Sequence, residues 1–223
     1  MKTGLYGIAT LIAVAAASPV LAQDATGPVV TAAVTGGTLG IGPEAGVRFS
    51  KTFGVRANAT FLGADASVDS DGIDYDGSLK LRSAGIMADV YPFGGSFRIS
   101  GGARVNGNKA RVVATPNEPT EIGDITYTPA QIGTLTGRAV TKDFAPALTL
   151  GYGGSMRSGF VFGIEAGALF QGKVRIRDFV ASGSLANNPT FQAELAQQRA
   201  DLQDDVNDYK VYPIVQISLG YRF

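Results

Sequence analysis

The side chains best suited to chemistry are carboxylates and arginines, because the 223-residue sequence contains neither histidine nor cysteine. A Ser-His arrangement, a His-ligated metal site and a cysteine nucleophile are therefore all out of reach. Carboxylate-only catalysis would need an acid left free to work. Glu44 and Glu165 instead lie on stretches that would face inward arginines, where ion pairing is the expected job. No catalytic residue, metal or cofactor is expected. What remains is a set of three acids, Glu44, Asp89 and Glu165, and five arginines, Arg48, Arg56, Arg98, Arg104 and Arg222. Each sits between two apolar residues, as in Val55-Arg56-Ala57 and Ile164-Glu165-Ala166. In an extended chain, successive side chains point to opposite faces, so these charges would share one face and their neighbours the other.

The elements that would carry such a face are strands, and the clearest is the last, Tyr212 to Phe223. Val215, Ile217, Leu219, Tyr221 and Phe223 fall on one side, while Gln216, Ser218, Gly220 and Arg222 fall on the other. At the other end of the sequence, Met1 to Ala22 has Lys2, an apolar run from Leu5 to Ala17 and small residues before Gln23. That pattern is a cleaved signal peptide, and its apolar run falls short of the roughly 20 residues a spanning helix needs. Residues 23–223 would then form one domain. Export, no cysteine and an apolar face ending on an aromatic residue together point to a bacterial outer membrane. There a barrel strand needs a lipid-facing apolar side, a polar lumen and interfacial aromatics. The expected fold is all-β: an eight-stranded antiparallel transmembrane up-and-down β-barrel with a short helix in the last extracellular loop. Leu219, Tyr221 and Phe223 resemble the signal read by the barrel-assembly machinery.

In order, strands are expected near Val29 to Thr35 and Glu44 to Phe49, with a tight turn at Ser50-Lys51-Thr52. The third sets Val55, Ala57, Ala59 and Phe61 outward against Arg56, Asn58 and Thr60, and runs into an acidic extracellular loop from Asp69 to Gly77. The fourth, about Leu79 to Tyr91, changes parity, and a bulge near Ser83 to Gly85 would reconcile Leu79 and Leu81 with Ile86, Ala88 and Val90. The fifth places Phe97, Ile99, Ala103 and Val105 outside, with Arg98, Ser100, Arg104, Asn106 and Asn108 inside. A long loop follows from Pro116 to Gly137, and then a strand from Ala147 to Tyr152 and a turn at Ser155 to Gly159. The seventh strand points Phe160, Phe162, Ile164, Ala166, Ala168 and Phe170 at lipid, and Gly163, Glu165, Gly167, Gln171 and Lys173 inward.

The third long loop holds a helix from Pro189 to Asn207, capped by Asn188, with Phe191, Leu195, Leu202 and Val206 on one stripe that would pack on the barrel rim. Asp201, Asp204, Asp205 and Asp208 gather toward its carboxy-terminal end, where the helix dipole disfavours negative charge. With 19 basic and 19 acidic residues, the chain lacks the basic surface that nucleic acid requires. Expected partners are outer-membrane lipid and lipopolysaccharide, the assembly machinery and at most a small solute. The acidic segment from Asp69 to Asp76 is a further candidate for divalent-cation or lipopolysaccharide contact.

The stretches Leu79 to Phe93 (L-K-L-R-S-A-G-I-M-A-D-V-Y-P-F) and Leu202 to Pro213 (L-Q-D-D-V-N-D-Y-K-V-Y-P) resemble a proteobacterial outer-membrane β-barrel family. More distantly, the eight-strand plan is similar to the small barrels of the OmpA, OmpX and OmpW type. That resemblance implies fold and location, while roles differ among such barrels. An eight-stranded lumen is only wide enough for side chains, so paired charges filling it would suit a structural or envelope-integrity role. The alternatives are a narrow channel for small anionic or zwitterionic solutes and a surface receptor or adhesion platform built on the loops. The terminal strand carries the first test. Phe223→Asp is expected to block outer-membrane insertion while export to the periplasm continues, as read from heat-modifiable migration on unboiled gels; undiminished insertion would contradict the assembly role.

Overall fold

The computed structural model describes residues 27–153 and 158–223. The signal-peptide region and most of the expected 155–159 turn lie outside the described residues. The strands run β1 Val29–Gly37, β2 Gly40–Arg48, β3 Phe53–Ser70, β4 Ile73–Val90, β5 Phe97–Asn106, β6 Lys109–Pro116, β7 Thr120–Ile122 and β8 Ile125–Tyr127. A one-turn helix α1 (Pro129–Ile132) leads to β9 Leu135–Val140, β10 Phe144–Gly153, β11 Gly159–Leu169 and β12 Arg175–Ala181, followed by helix α2 Pro189–Val206 and β13 Tyr212–Arg222. No helix among the described residues is long and apolar enough to cross a membrane, a fact that says nothing about strands.

Eight of the thirteen strands close on themselves through antiparallel pairs, in the order β4-β3-β2-β1-β13-β11-β10-β5 and back to β4. Closure leaves the ring without an edge, so each of its strands pairs with a neighbour on both sides. The extra strands are largely continuations of ring strands. β6 keeps the register of β5 against β4, since Ser83↔Asn106 is followed by Lys80↔Lys109. β9 likewise continues β10, as Val105↔Phe144 is followed by Lys109↔Val140. Together with β12 and the outer half of the β3–β4 hairpin, they raise one side of the ring wall well beyond the rest. Among the described residues only the β7–β8 hairpin forms a separate sheet.

Three expectations about these segments are corrected. The acidic stretch from Asp69 to Gly77 is not an open loop. β3 and β4 pair without interruption from Phe53↔Val90 to Ser70↔Ile73, and Asp71 and Gly72 form the two-residue turn with φ of 53° and 71°. Both central residues with positive φ make a type I′ turn, whose twist matches that of the strands it joins. The expected bulge near Ser83 to Gly85 is absent, because the register is continuous on both sides of β4. Leu79 and Leu81 simply sit on the inward face, which turns apolar where β4 leaves the ring, and Leu81 is buried. A register shift does occur, but in β12 between Arg177 and Val180, where Asp178 has φ 53°. Finally, the segment from Pro116 to Gly137 is an ordered hairpin, a helical turn and the start of β9.

Helix α2 matches its expected span. The Asn188 side chain accepts hydrogen bonds from the amides of Thr190 (3.0 Å) and Phe191 (3.2 Å), with Pro189 at the first helical position. Its stripe does not pack on the rim alone. Phe191 and Leu195 are buried with Ile122, Tyr127 and Ile132 in a small core of their own, partly walled by Leu135, Phe179, Ala181 and Leu185. The helix also protects the exposed edge of β12: the Gln203 side chain accepts from the Ile176 amide (2.9 Å) and donates to the Val174 carbonyl (2.8 Å). An unpaired strand edge is an aggregation hazard, and here a glutamine side chain fills the role of a neighbouring strand. The four aspartates near its carboxy-terminal end are all exposed.

Candidate functional site: a charged lumen with an apolar cluster at one end

Strict alternation along the ring strands puts Glu44, Arg48, Arg56, Asp89, Arg98, Arg104, Glu165 and Arg222 on the inward face, each buried or nearly so. Their outward neighbours are exposed, among them Ile164, Leu219 and Ile86. Six of the eight lie in one connected network, with Arg56 at its centre. Its Nε and Nη2 donate to the two oxygens of Asp89 (2.7 and 3.2 Å), and its Nη1 donates to Glu44 Oε2 (3.1 Å). Nη2 also reaches Glu165 Oε2 at 2.6 Å. Arg98 Nη2 donates to the same Glu165 oxygen at 2.8 Å. Ser100 Oγ donates to Asp89 (2.6 Å), and the Asn58 amide donates to Glu44 (3.1 Å). Arg104 joins through neutral acceptors, Asn58 Oδ1 and Ser83 Oγ, both at 2.7 Å.

The network balances three carboxylates against three guanidinium groups, as buried charges require. Space for the long arginines comes from glycines directly across the sheet. Gly46 stands opposite Arg56, Gly85 opposite Arg104 and Gly151 opposite Arg98. A Cβ at these three glycines would come within 2.9, 2.7 and 2.8 Å of the facing arginine side chain. Each arginine therefore lies flat across its neighbour strand toward the lumen centre.

The other two expected members work at the end of the lumen nearest residues 29 and 222. Arg48 donates to the carbonyls of Ser50, Lys51, Gly94 and Gly95, and its guanidinium lies 3.6 Å from the centroid of the Tyr91 ring. It thereby ties together the two tight turns at that end. Arg222 donates to Thr31 Oγ1 at 2.9 Å. Lys173 and Asn108, expected inside, are not in the lumen: Lys173 is exposed beyond β11, and Asn108 lies between β5 and β6, accepting from the Arg82 amide at 3.0 Å. Gln171 is buried as expected.

Charge explains only part of the filling. At the opposite end of the lumen, Leu39, Met87, Ala145, Ala147, Leu169 and Ile214 form a buried apolar cluster with Tyr212 packed against it. Tyr212 Oη donates to the Thr38 carbonyl at 2.6 Å, and the Val215 amide donates to Thr38 Oγ1 at 3.0 Å, pinning the β1–β2 turn to β13. Sequence reasoning centred on charges missed this plug. The signal was there: Met87, Leu169 and Ile214 stand at inward positions of otherwise polar inward runs. Two small cavities flank the network, one of about 40 Å³ on the Arg48 side and one of about 10 Å³ on the plug side. The first has room for a few waters and the second for about one, since a water needs some 10–15 Å³.

Leu219, Tyr221 and Phe223, the expected assembly signal, point outward and are exposed. Tyr221 stacks edge-on with both Phe160 (5.5 Å between centroids) and Phe223 (5.2 Å), and the Phe223 amide donates to the Val30 carbonyl at 2.9 Å. The final residue thus also helps to seal β13 against β1. Among the described residues no three acids converge as a metal site would require, the hairpin tip at Asp69 to Asp76 included.

No protein-family model matches the chain, and no curated protein matches its sequence. Solved structures do resemble it. Crystal structures of Acinetobacter baumannii CarO2 and CarO superpose with TM-scores of 0.59 and 0.55 at 17% and 18% identity. Each comparison covers 87% of this chain, and 98% and 97% respectively of the other. At such identities the likeness is one of fold.

The shared Glu165 oxygen gives the site its test. Glu165→Ala leaves Arg56 and Arg98 each short of a carboxylate, and losing one partner of a buried charge cluster costs about 3–5 kcal/mol. Urea titration of the folded chain in detergent should show that loss, with Glu44→Gln costing less because its amide still accepts from Arg56. A Glu165→Ala midpoint equal to wild type would mean the cluster does not hold the ring.

Proposed function

We propose that the chain is an outer-membrane β-barrel whose role is structural, in envelope integrity, with a lumen closed to solutes. The observation that carries the structural reading is the filled lumen: a balanced charge network, an apolar plug and voids of only about 40 and 10 Å³. The membrane reading is supported by the outside of the ring. Val34, Ile41, Ile86, Val105, Leu148, Leu150, Phe162 and Ile217 are all about half exposed or more, a belt that water would not tolerate on a monomer. Aromatics border it at both ends, with Phe53, Tyr152, Phe160 and Tyr221 on one side and Phe61, Phe144 and Phe170 on the other. The ring strands β1, β2, β5, β10, β11 and β13 are 9 to 11 residues long, the length a tilted strand needs to cross the hydrocarbon. With Met1 to Ala22 as export signal, the end holding the short turns would face the periplasm and the raised wall the outside.

Two measurements test this. Ile164→Arg, at the middle of β11 on the outward face, should cost roughly 2–4 kcal/mol in folding titrations into lipid vesicles; a wild-type midpoint would remove the lipid belt. Cells lacking the protein should become sensitive to detergents with unchanged uptake of small solutes, and slower uptake with an intact barrier would contradict the structural role.

A further inference from the structure

The raised wall has two unlike faces. Its inner face, with Ala110, Ala139 and Ile176, is largely apolar, and the core around α2 lies beside it. On its outer face, strand register aligns cations in rows. Lys80 stands opposite Lys109, and Arg111, Arg138 and Arg177 stand side by side on β6, β9 and β12. Arg175 follows opposite Val140, and all six are exposed. Like charges directly opposite one another destabilise a sheet, with Cβ atoms only about 4.5–5.5 Å apart. The cations outnumber the acids around them: Asp178 pairs with Arg138 at 3.0 Å in an exposed setting, Asp76 accepts from Ser67 at 2.5 Å, and Asp65 and Asp143 border the rows. Such a row makes sense when an anion lies across it.

Its position says which anion. The outward residues of β4 run Lys80, Arg82, Ala84, Ile86, Ala88 and Val90, so the basic rows occupy the same outward surface as the apolar belt and begin where that belt ends, level with Phe61 and Phe144. In a membrane-spanning ring, that height is the headgroup layer. We propose that this face docks the phosphorylated headgroup of the outer-leaflet glycolipid, lipopolysaccharide, with Arg111, Arg138 and Arg177 as the phosphate contacts; the inference rests on reading the ring as an outer-membrane barrel. Planar guanidinium forks suit phosphate, offering two parallel N–H donors to its oxygens. The lysine row lies about 7 Å along the strands from the arginine row, at a rise of about 3.3 Å per residue, so a second phosphate can be held on the same face.

The full chain folded in detergent micelles is titrated with bisphosphorylated lipid A and, separately, with lipid A stripped of phosphate; heparin serves as a soluble polyanion. Wild type should prefer the bisphosphorylated form, and its affinity should fall steeply as salt rises. Arg111→Gln/Arg138→Gln/Arg177→Gln should lose about fivefold per charge, roughly a hundredfold together, while keeping its heat-modifiable migration. Equal affinity of the folded triple variant, indifference of wild type to the phosphates, flat salt dependence or tighter binding of heparin than of lipid A would each overturn the proposal. Wild type that folds into lipid vesicles but shows no such preference overturns this inference alone. Wild type that fails to insert into vesicles overturns the barrel reading and this inference with it.

Discussion

Arg56 shares one guanidinium among three carboxylates that reach it from β2, β4 and β11, and these strands are brought together only by closing the ring. An eight-stranded ring has just enough interior for side chains, so a buried charge there must find its partner within the lumen. That requirement specifies register as strongly as any apolar core. Sliding one strand by a single residue would turn its inward charge to the outside and bring an apolar side chain in, leaving the rest of the cluster unbalanced. The glycines at 46, 85 and 151 belong to the same constraint, because each arginine can lie across the neighbouring strand only where no Cβ stands in the way.

The constraint also divides the labour between the two ends of the lumen. Near the chain ends, Arg48 uses its donors on the carbonyls of two tight turns and its flat face on Tyr91, so it closes the ring's rim. At the other end the filling is apolar, and the tie from Tyr212 to Thr38 pins the β1–β2 turn to β13. Beyond it the wall rises on one side only, and the core around α2 lies beside its inner face. Inward positions thus read charged, then apolar, along one continuous surface.

Much of this was legible in the sequence, and the reason is periodicity. A side-chain period of two, read along β2, β3, β4, β5, β11 and β13, put the eight charges on one face and Ile164, Leu219 and Phe223 on the other. Asn188 followed by Pro189 marked the start of α2. The less legible parts were those where composition argued against structure. Asp69 to Gly77 is rich in residues that strands avoid, yet Asp71-Gly72 is the strongest short hairpin signal available, and cross-strand pairing overrode the propensity of its neighbours. The switch from polar to apolar inward residues around Leu81 read as a bulge because nothing local says where a ring ends and a raised wall begins. That boundary is set by the partners of β4, and these come from residues 97–116. Which arginine meets which acid was equally hidden, since Glu165 is 109 residues from Arg56.

In the proposed role, paired charges and an apolar plug keep the lumen shut. Single-channel recording of the wild-type chain in planar bilayers tests it most directly. A shut lumen gives a quiet baseline broken at most by small, brief, anion-leaning openings, since the arginines outnumber the acids along the lumen. A large, steady, cation-selective conductance would contradict it.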